Sequence, residues 1–247
     1  MERHQARVMP VLGIISLAAL AACGTSTSSG GGGSSSSSGP LGSCTGTVTV
    51  ASDLPTSGGD AAIGGGTEKG VKLAVDQANA AHLLGGCTIT YIPKDDASVA
   101  LGKHDPQQGV QNVTALVANQ AVMGIVGPFN SSVAVAELPV TNKAGVAQIS
   151  PSNTDPGLTI PGTDPDIDTN SLKPTGKTTY FRVISNDVVQ AQVMAQVAAK
   201  ELSLKKIYDI DDQETYGKDL SNYFDQDFAK LGGAIVKRVG LPGTTKD

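Results

Sequence analysis

Hydroxyl and amide side chains gather at two places in this chain. One is Asn130-Ser131-Ser132, directly after Gly127-Pro128-Phe129; the other is Ser150-Pro151-Ser152-Asn153-Thr154. Each follows a short apolar run, Ala121–Val126 and Val146–Ile149, and Val133–Asn142 between them reads as a helix. The chemistry this supports is capture rather than reaction. A helix start presents unpaired N–H groups and a partial positive charge, which suit a carboxylate. Hydroxyls at Ser131, Ser152 and Thr154, with Ser132 beside them, complete a cradle for a small polar or anionic ligand. Ser131 is the expected N-cap of the helix. Capping alone accounts for a serine at 131, and turn formation for a threonine at 154.

Groups that could do covalent or acid–base chemistry are not arranged for it. His4, His82 and His104 fall in a leader, a helix end and a loop, without partners at useful spacing. No serine stands in an elbow motif. Gly64, Gly66 and Gly70 do not follow the dinucleotide-loop spacing. Thr175-Gly176-Lys177-Thr178 has Ser171 where a phosphate loop needs its first glycine. Asp95-Asp96 and Asp211-Asp212 read as solvated strand ends. No histidine lies near Cys44 or Cys87 at ligand spacing, so neither metal nor cofactor is expected.

The elements that must position the two polar turns follow from pattern. Strands are expected at Thr47–Ala51, Cys87–Ile92 (ended by Pro93), Ala121–Val126, Val146–Ile149, Thr179–Ile184, Lys205–Ile210 and Ala234–Val239. Helices are expected at Thr67–Ala80, Pro106–Asn119, Val133–Asn142, Asp187 onward with Asp187 as its cap, and Tyr216–Leu231. Ser52–Gly66 and Lys94–Asp105 read as loops, and Ser150–Lys177 as a long connection, functional or mobile. Strands alternating with helices imply an α/β fold, a parallel sheet flanked by helices. Both polar turns then lie at the sheet edge where such folds bind ligands.

Met1–Ala22 has the layout of an export signal: Arg3 and Arg7, then an apolar stretch from Val8. Its end, Leu20-Ala21-Ala22-Cys23, resembles the lipobox of bacterial lipoproteins, with Cys23 the lipidated residue. Residues 23–43, nearly all Gly, Ser and Thr, form a tether. The 247 residues carry a net charge of −5, without a basic stripe, so nucleic-acid binding is not expected. Removing the leader, with Arg3, Arg7 and Glu2, leaves a charge near −6. Two cysteines remain in an exported chain, and Cys44 and Cys87 are expected to pair.

The order of features along the chain resembles the branched-chain amino-acid (Leu/Ile/Val) binding proteins, type I periplasmic solute-binding lipoproteins of ABC transporters. The stretches that carry the resemblance are Glu68–Asn79, Lys94-Asp95-Asp96, Asp105–Gln108, Gly127–Ser132, Ala144–Thr154, Tyr180-Phe181-Arg182 and Asp211–Gly217. It implies two lobes with an interlobe cleft: an N-terminal lobe over 44–184, carrying the insertion loop 150–178, and a second lobe begun at 185–247. It implies that Ser131 holds a ligand carboxylate, that the Ser152 carbonyl takes the ammonium, that Thr154 contacts the ligand's charged end, and that Tyr216 closes from the second lobe. Ser57–Gly66 lacks the tyrosine often found there, and the Pro161–Lys177 insertion is long for the family. By this resemblance the chain also stops before the second lobe is complete, as a C-terminally truncated form. The implied partners are an amino-acid ligand, an ABC permease and ATPase, and the membrane through a lipid anchor. The alternatives are a ligand sensor of the same fold for an amide, urea or other small polar solute, and a non-binding remnant. An enzyme is not expected.

Overall fold

The computed structural model describes residues 44–242. The leader and the whole 23–43 tether, with the lipidation residue Cys23, lie outside the described residues. A five-stranded parallel sheet runs in the order β2-β1-β5-β6-β7, with β1 Thr45–Leu54, β2 Gly86–Asp95, β5 Val122–Val126, β6 Ala147–Ser150 and β7 Tyr180–Arg182. Helix α1, Ala61–Ala80, lies against β1 and β2. Helices α2, Pro106–Val117, and α3, Ser131–Ala144, pack on each other. Between β2 and α2 a short antiparallel ribbon forms from β3, Ala97–Ser98, and β4, Lys103–His104. Beyond β7 come α4, Asp187–Gln196, which runs on through a π turn to Glu201, then β8, Lys206–Asp211, α5, Thr215–Lys230, and β9, Ala234–Gly240. Strands β8 and β9 pair in parallel as a separate sheet.

Apolar spacing explains the packing. Val113 and Leu116 of α2 bury against Ala51, Val122 and Ile125 of the sheet. Ala195, Ala198 and Ala199 bury with Phe228 of α5, backed by Ile207 and Ile235. Each fully buried aliphatic or aromatic side chain contributes roughly 1.5–3 kcal/mol.

Several boundaries differ from the sequence expectation, each for a local reason. Helix α1 starts at Ala61, so the glycine-rich stretch taken as a loop is largely helical. Gly64 explains part of this: a Cβ there would lie 2.0 Å from the Pro55 carbonyl oxygen, so close packing of helix on loop demands glycine. Strand β2 runs through Pro93 to Asp95, which an edge strand with β1 as its one neighbour tolerates. Asn79 completes that edge, its amide accepting from Ile89 N–H and donating to Ile89 C=O, both at 2.8 Å. The cap of α3 is Asn130, extended at φ −96°, and Ser131 is the first helical residue. Likewise Asn186, not Asp187, caps α4, and its side chain accepts from Val189 N–H.

The long connection between β6 and β7 is packed rather than loose. Leu158, Ile167 and Leu172 bury against Ala134, Leu138 and Tyr180. Asp155, Asp164 and Asp168 each accept the N–H two residues on, which turns the chain without regular structure. Arg182 donates to the carbonyls of Asn153 and Asp155.

Cys44 and Cys87 are joined, with Cα atoms 5.2 Å apart, across the paired starts of β1 and β2. The bond closes a loop of 43 residues. Chain-entropy arguments assign such a loop about 4 kcal/mol. The double variant Cys44→Ser, Cys87→Ser should therefore lose about that much in a urea titration; a loss under about 1 kcal/mol would contradict this.

Candidate functional site

The two polar turns meet. They follow the adjacent strands β5 and β6, and three side chains stitch them together. Ser150 Oγ donates to the Pro128 carbonyl at 2.8 Å and accepts the N–H groups of Ser152 and Asn153 at 3.1 and 2.8 Å. Asn153 donates from Nδ2 to the Phe129 carbonyl at 2.9 Å. Tyr180 of β7 donates its hydroxyl to Asn153 Oδ1 at 2.9 Å. Gly127 lets the first turn leave the sheet at φ +130°, where a Cβ would lie 2.1 Å from the Asp53 carbonyl oxygen.

Over this stitched floor lies a cavity of about 270 Å³ lined by Phe129, Ser131, Ser152, Thr154, Ile184, Gln190 and Tyr216. Four of the sequence-predicted residues, Ser131, Ser152, Thr154 and Tyr216, thus come together. Ser132 does not line the cavity. Consecutive helical residues point about 100° apart, so once Ser131 is helical Ser132 must turn away from what Ser131 faces. The side chains of Ser131 and Thr154 are buried, and neither hydroxyl has a hydrogen-bond partner. Buried hydroxyls without partners cost roughly 1–3 kcal/mol each, a cost that a ligand oxygen would remove. Ser131 also stands in the first turn of α3, where backbone N–H groups have no partner within the helix. Tyr216 accepts from Gln190 Nε2 at 2.9 Å, which joins α4 and α5 across the cavity wall.

Asp187 is the functional candidate that reading it as a cap concealed. Its N–H donates to the Thr154 carbonyl at 2.9 Å; its carboxylate is fully buried, with no hydrogen-bond partner on either oxygen. Burial pushes its pKa up to about 6, opposed by the Thr154 hydroxyl, which is near the carboxylate but outside hydrogen-bond geometry, and by the Arg182 guanidinium. It remains largely ionised at neutral pH, directly behind Thr154. Its position in the first turn of α4 helps hold that charge. Asn153 is the second residue missed. Its place inside Ser-Pro-Ser-Asn-Thr was the available signal, but its partners are known only once β5 and β6 are neighbours.

A further buried group lies under α2. Asp53, Asp96 and Glu137 are fully buried, with oxygens within 4.8 Å of one another, near enough to share a cation. The polar neighbours are donors, however: Asn112 Nδ2 bonds Asp53, and Gln148 Nε2 bonds Glu137. Donors suit carboxylates but add no metal ligand, and burial favours protons. Burial raises Asp53 to about 7 and Asp96 to about 8, and Glu137 well above its usual range.

The parallel sheet, the paired turns at its carboxyl edge and the small cavity above them mark the fold of an α/β small-ligand binder. The chain belongs to the periplasmic binding protein family, whose model matches residues 47–247. It is 30% identical over 177 residues to the Leu/Ile/Val-binding protein homolog 3 of Brucella melitensis, covering 72% of this chain and 42% of that one. It is 27% identical over 235 residues to an amino acid binding protein of Pseudomonas aeruginosa, covering 95% of this chain and 54% of that one. Among solved structures it is similar to the branched-chain amino acid transporter substrate binding protein of Streptococcus pneumoniae in complex with isoleucine. That match has a TM-score of 0.67 at 27% identity and covers 81% of this chain and 51% of the other. The chain spans about half the length of the curated relatives it matches. Its fold is that of the type I periplasmic binding proteins.

The proton-holding carboxylates fix the sign of a pH effect. Groups with raised native pKa stabilise the fold at low pH, and that stability is lost as pH rises through about 7 to 8. The thermal midpoint should fall between pH 5 and 8, with a slope of about 1.4 kcal/mol per pH unit for each proton retained. Asp96→Asn should flatten the slope. A midpoint that rises or stays level over that range would refute the proton-sharing account.

Proposed function

We propose that the chain binds the zwitterionic head of a branched-chain or related amino acid in an interlobe cleft. In this reading it serves as an extracytoplasmic solute-binding lipoprotein of an ABC importer. The observation that carries the reading is the pair of buried, unpartnered hydroxyls, Ser131 and Thr154, on one small cavity at the start of α3. A ligand carboxylate accepts from both hydroxyls and from the free N–H groups of the helix start. The ammonium rests on the Ser152 carbonyl side, toward the buried negative charge of Asp187. Phe129, Ile184 and Tyr216 supply apolar and aromatic wall for an aliphatic side chain. About 270 Å³ suits a small ligand and sits at the lower end of ligand cavities.

The names of the relatives support the substrate class. The lobes are assigned to 44–184 and 185–247, with the cavity drawing Ser131, Ser152 and Thr154 from the first and Gln190 and Tyr216 from the second. Closure of the second lobe on the ligand is a hinge motion. Lipidation at Cys23 and the 23–43 tether would hold the domain at the membrane while it exchanges ligand with a permease driven by its ATPase.

Calorimetry with leucine, isoleucine and valine tests this. A response is expected, with Ser131→Ala weakening affinity by about 5- to 150-fold, the loss of a charge-assisted hydrogen bond of roughly 1–3 kcal/mol. No heat with any of the three would remove the branched-chain assignment. An unchanged affinity in Ser131→Ala would leave Ser131 a structural residue.

A further inference from the structure

A second cavity, of about 160 Å³, lies where the connection between β6 and β7 meets α5. It shares no lining residue with the cavity of Ser131 and Thr154. Its wall is rich in oxygen. The connection contributes Asp164 and Asp166, α5 contributes Asp219 and Asn222, and Gln213 stands in the turn before α5.

The charge here is not balanced. Asp219 is 4% exposed and Asp164 is 6% exposed; Asp219 Oδ2 has no hydrogen-bond partner. Asp155, fully buried, also has an unpartnered oxygen and feels the charges of both. Lys218 reaches the cavity but pairs with Asp166 at the exposed rim. Among the described residues no Lys, Arg or His pairs with Asp155, Asp164 or Asp219. Burial and mutual repulsion push Asp155 up to about 8 and Asp219 to about 7, so their negative charge is costly unless a proton or a cation relieves it. Beneath α2 the neighbours of the buried carboxylates are the N–H donors of Asn112 and Gln148. Here there is space, and Gln213 offers an amide oxygen at its wall; that of Asn222 already accepts from Arg238 at 2.6 Å.

We propose that this cavity binds one hard divalent cation, of the Ca²⁺ or Mg²⁺ class, held chiefly by Asp164 and Asp219. Oxygen ligands, carboxylates first, are what such ions require. The volume exceeds that of a bare ion: at about 30 Å³ per water it holds roughly five, so the ion keeps much of its hydration. Few direct protein ligands mean modest affinity, about 10⁻⁴ to 10⁻³ M, the range of extracellular modules. The bound ion pins the β6–β7 connection to α5, joining the segment that begins at Thr154 to the helix that carries Tyr216. The inference does not depend on what the first cavity binds.

The test uses the full chain, stripped with chelator and desalted. Ca²⁺ and, separately, Mg²⁺ are titrated by calorimetry and thermal denaturation. Terbium luminescence provides a local probe, sensitised by Tyr223, whose hydroxyl bonds the Thr163 carbonyl beside the site at 2.7 Å. One ion per chain is expected, with a rise in thermal midpoint and a terbium signal displaced by Ca²⁺. Asp164→Asn and Asp219→Asn should each weaken binding at least tenfold, while Asp168→Asn, exposed and off the cavity wall, should bind as the parent does. The proposal is overturned if neither ion at about 10 mM shifts the midpoint nor displaces terbium. It is equally overturned if Asp164→Asn and the parent bind alike. If Asp219→Asn does not fold, Asp164→Asn and the parent's terbium signal decide.

Discussion

The site depends on one small set of bonds: the Ser150 hydroxyl between the Pro128 carbonyl and the Ser152 and Asn153 N–H groups, with Asn153 reaching across to Phe129. Two turns that leave adjacent parallel strands have no backbone ladder to fix their spacing. Without the stitch, each would settle against water by its own turn preferences. With it, the start of α3 and the Ser152–Thr154 turn form a single rigid edge. Tyr180, buried and bonded to Asn153, ties that edge to the next strand and so to the packed connection beyond.

Once the edge is rigid, the state of Ser131 and Thr154 acquires meaning. A mobile turn would let both hydroxyls rotate to solvent or to backbone. Here they are buried, unpaired and on the same cavity, which stores an unfavourable desolvation term that a ligand can relieve. Asp187 adds the complementary sign of charge. It is held close by its N–H bond to the Thr154 carbonyl, so that a positive and a negative pole sit on opposite sides of one residue. Such a layout suits a zwitterion better than a simple anion.

Much of this was legible in the sequence, because it is local. Apolar runs ended by Gly127-Pro128 and by Ser150-Pro151 read as strands followed by turns, and alternation with helices gives the parallel sheet. Ser131, Ser152 and Thr154 could be nominated from position alone, and Tyr216 from the family resemblance. What could not be read was set by distance. Asn153 and Ser150 have roles only because β5 and β6 are neighbours. Asp187 looks like any helix-start acid until the connection folds back and sets it behind Thr154. Asp53, Asp96 and Glu137 come from three distant positions and reveal their shared burial only in the fold. Ser132 was misplaced by a single helical step, since assigning the cap to Ser131 rather than Asn130 left the facing of its neighbour unset. Local composition also misled at Gly64, where close packing against Pro55, not chain flexibility, is what the glycine serves.

The central claim is that the stitched edge receives a carboxylate. A crystal structure of the chain grown with L-leucine tests it most directly. The account predicts the ligand carboxylate within about 2.6–3.2 Å of both Ser131 Oγ and Thr154 Oγ1, with its ammonium toward Ser152 and Asp187. A leucine lying in this cavity with its carboxylate turned to Phe129 and Ile184, or bound elsewhere with both hydroxyls still unpaired, would contradict it.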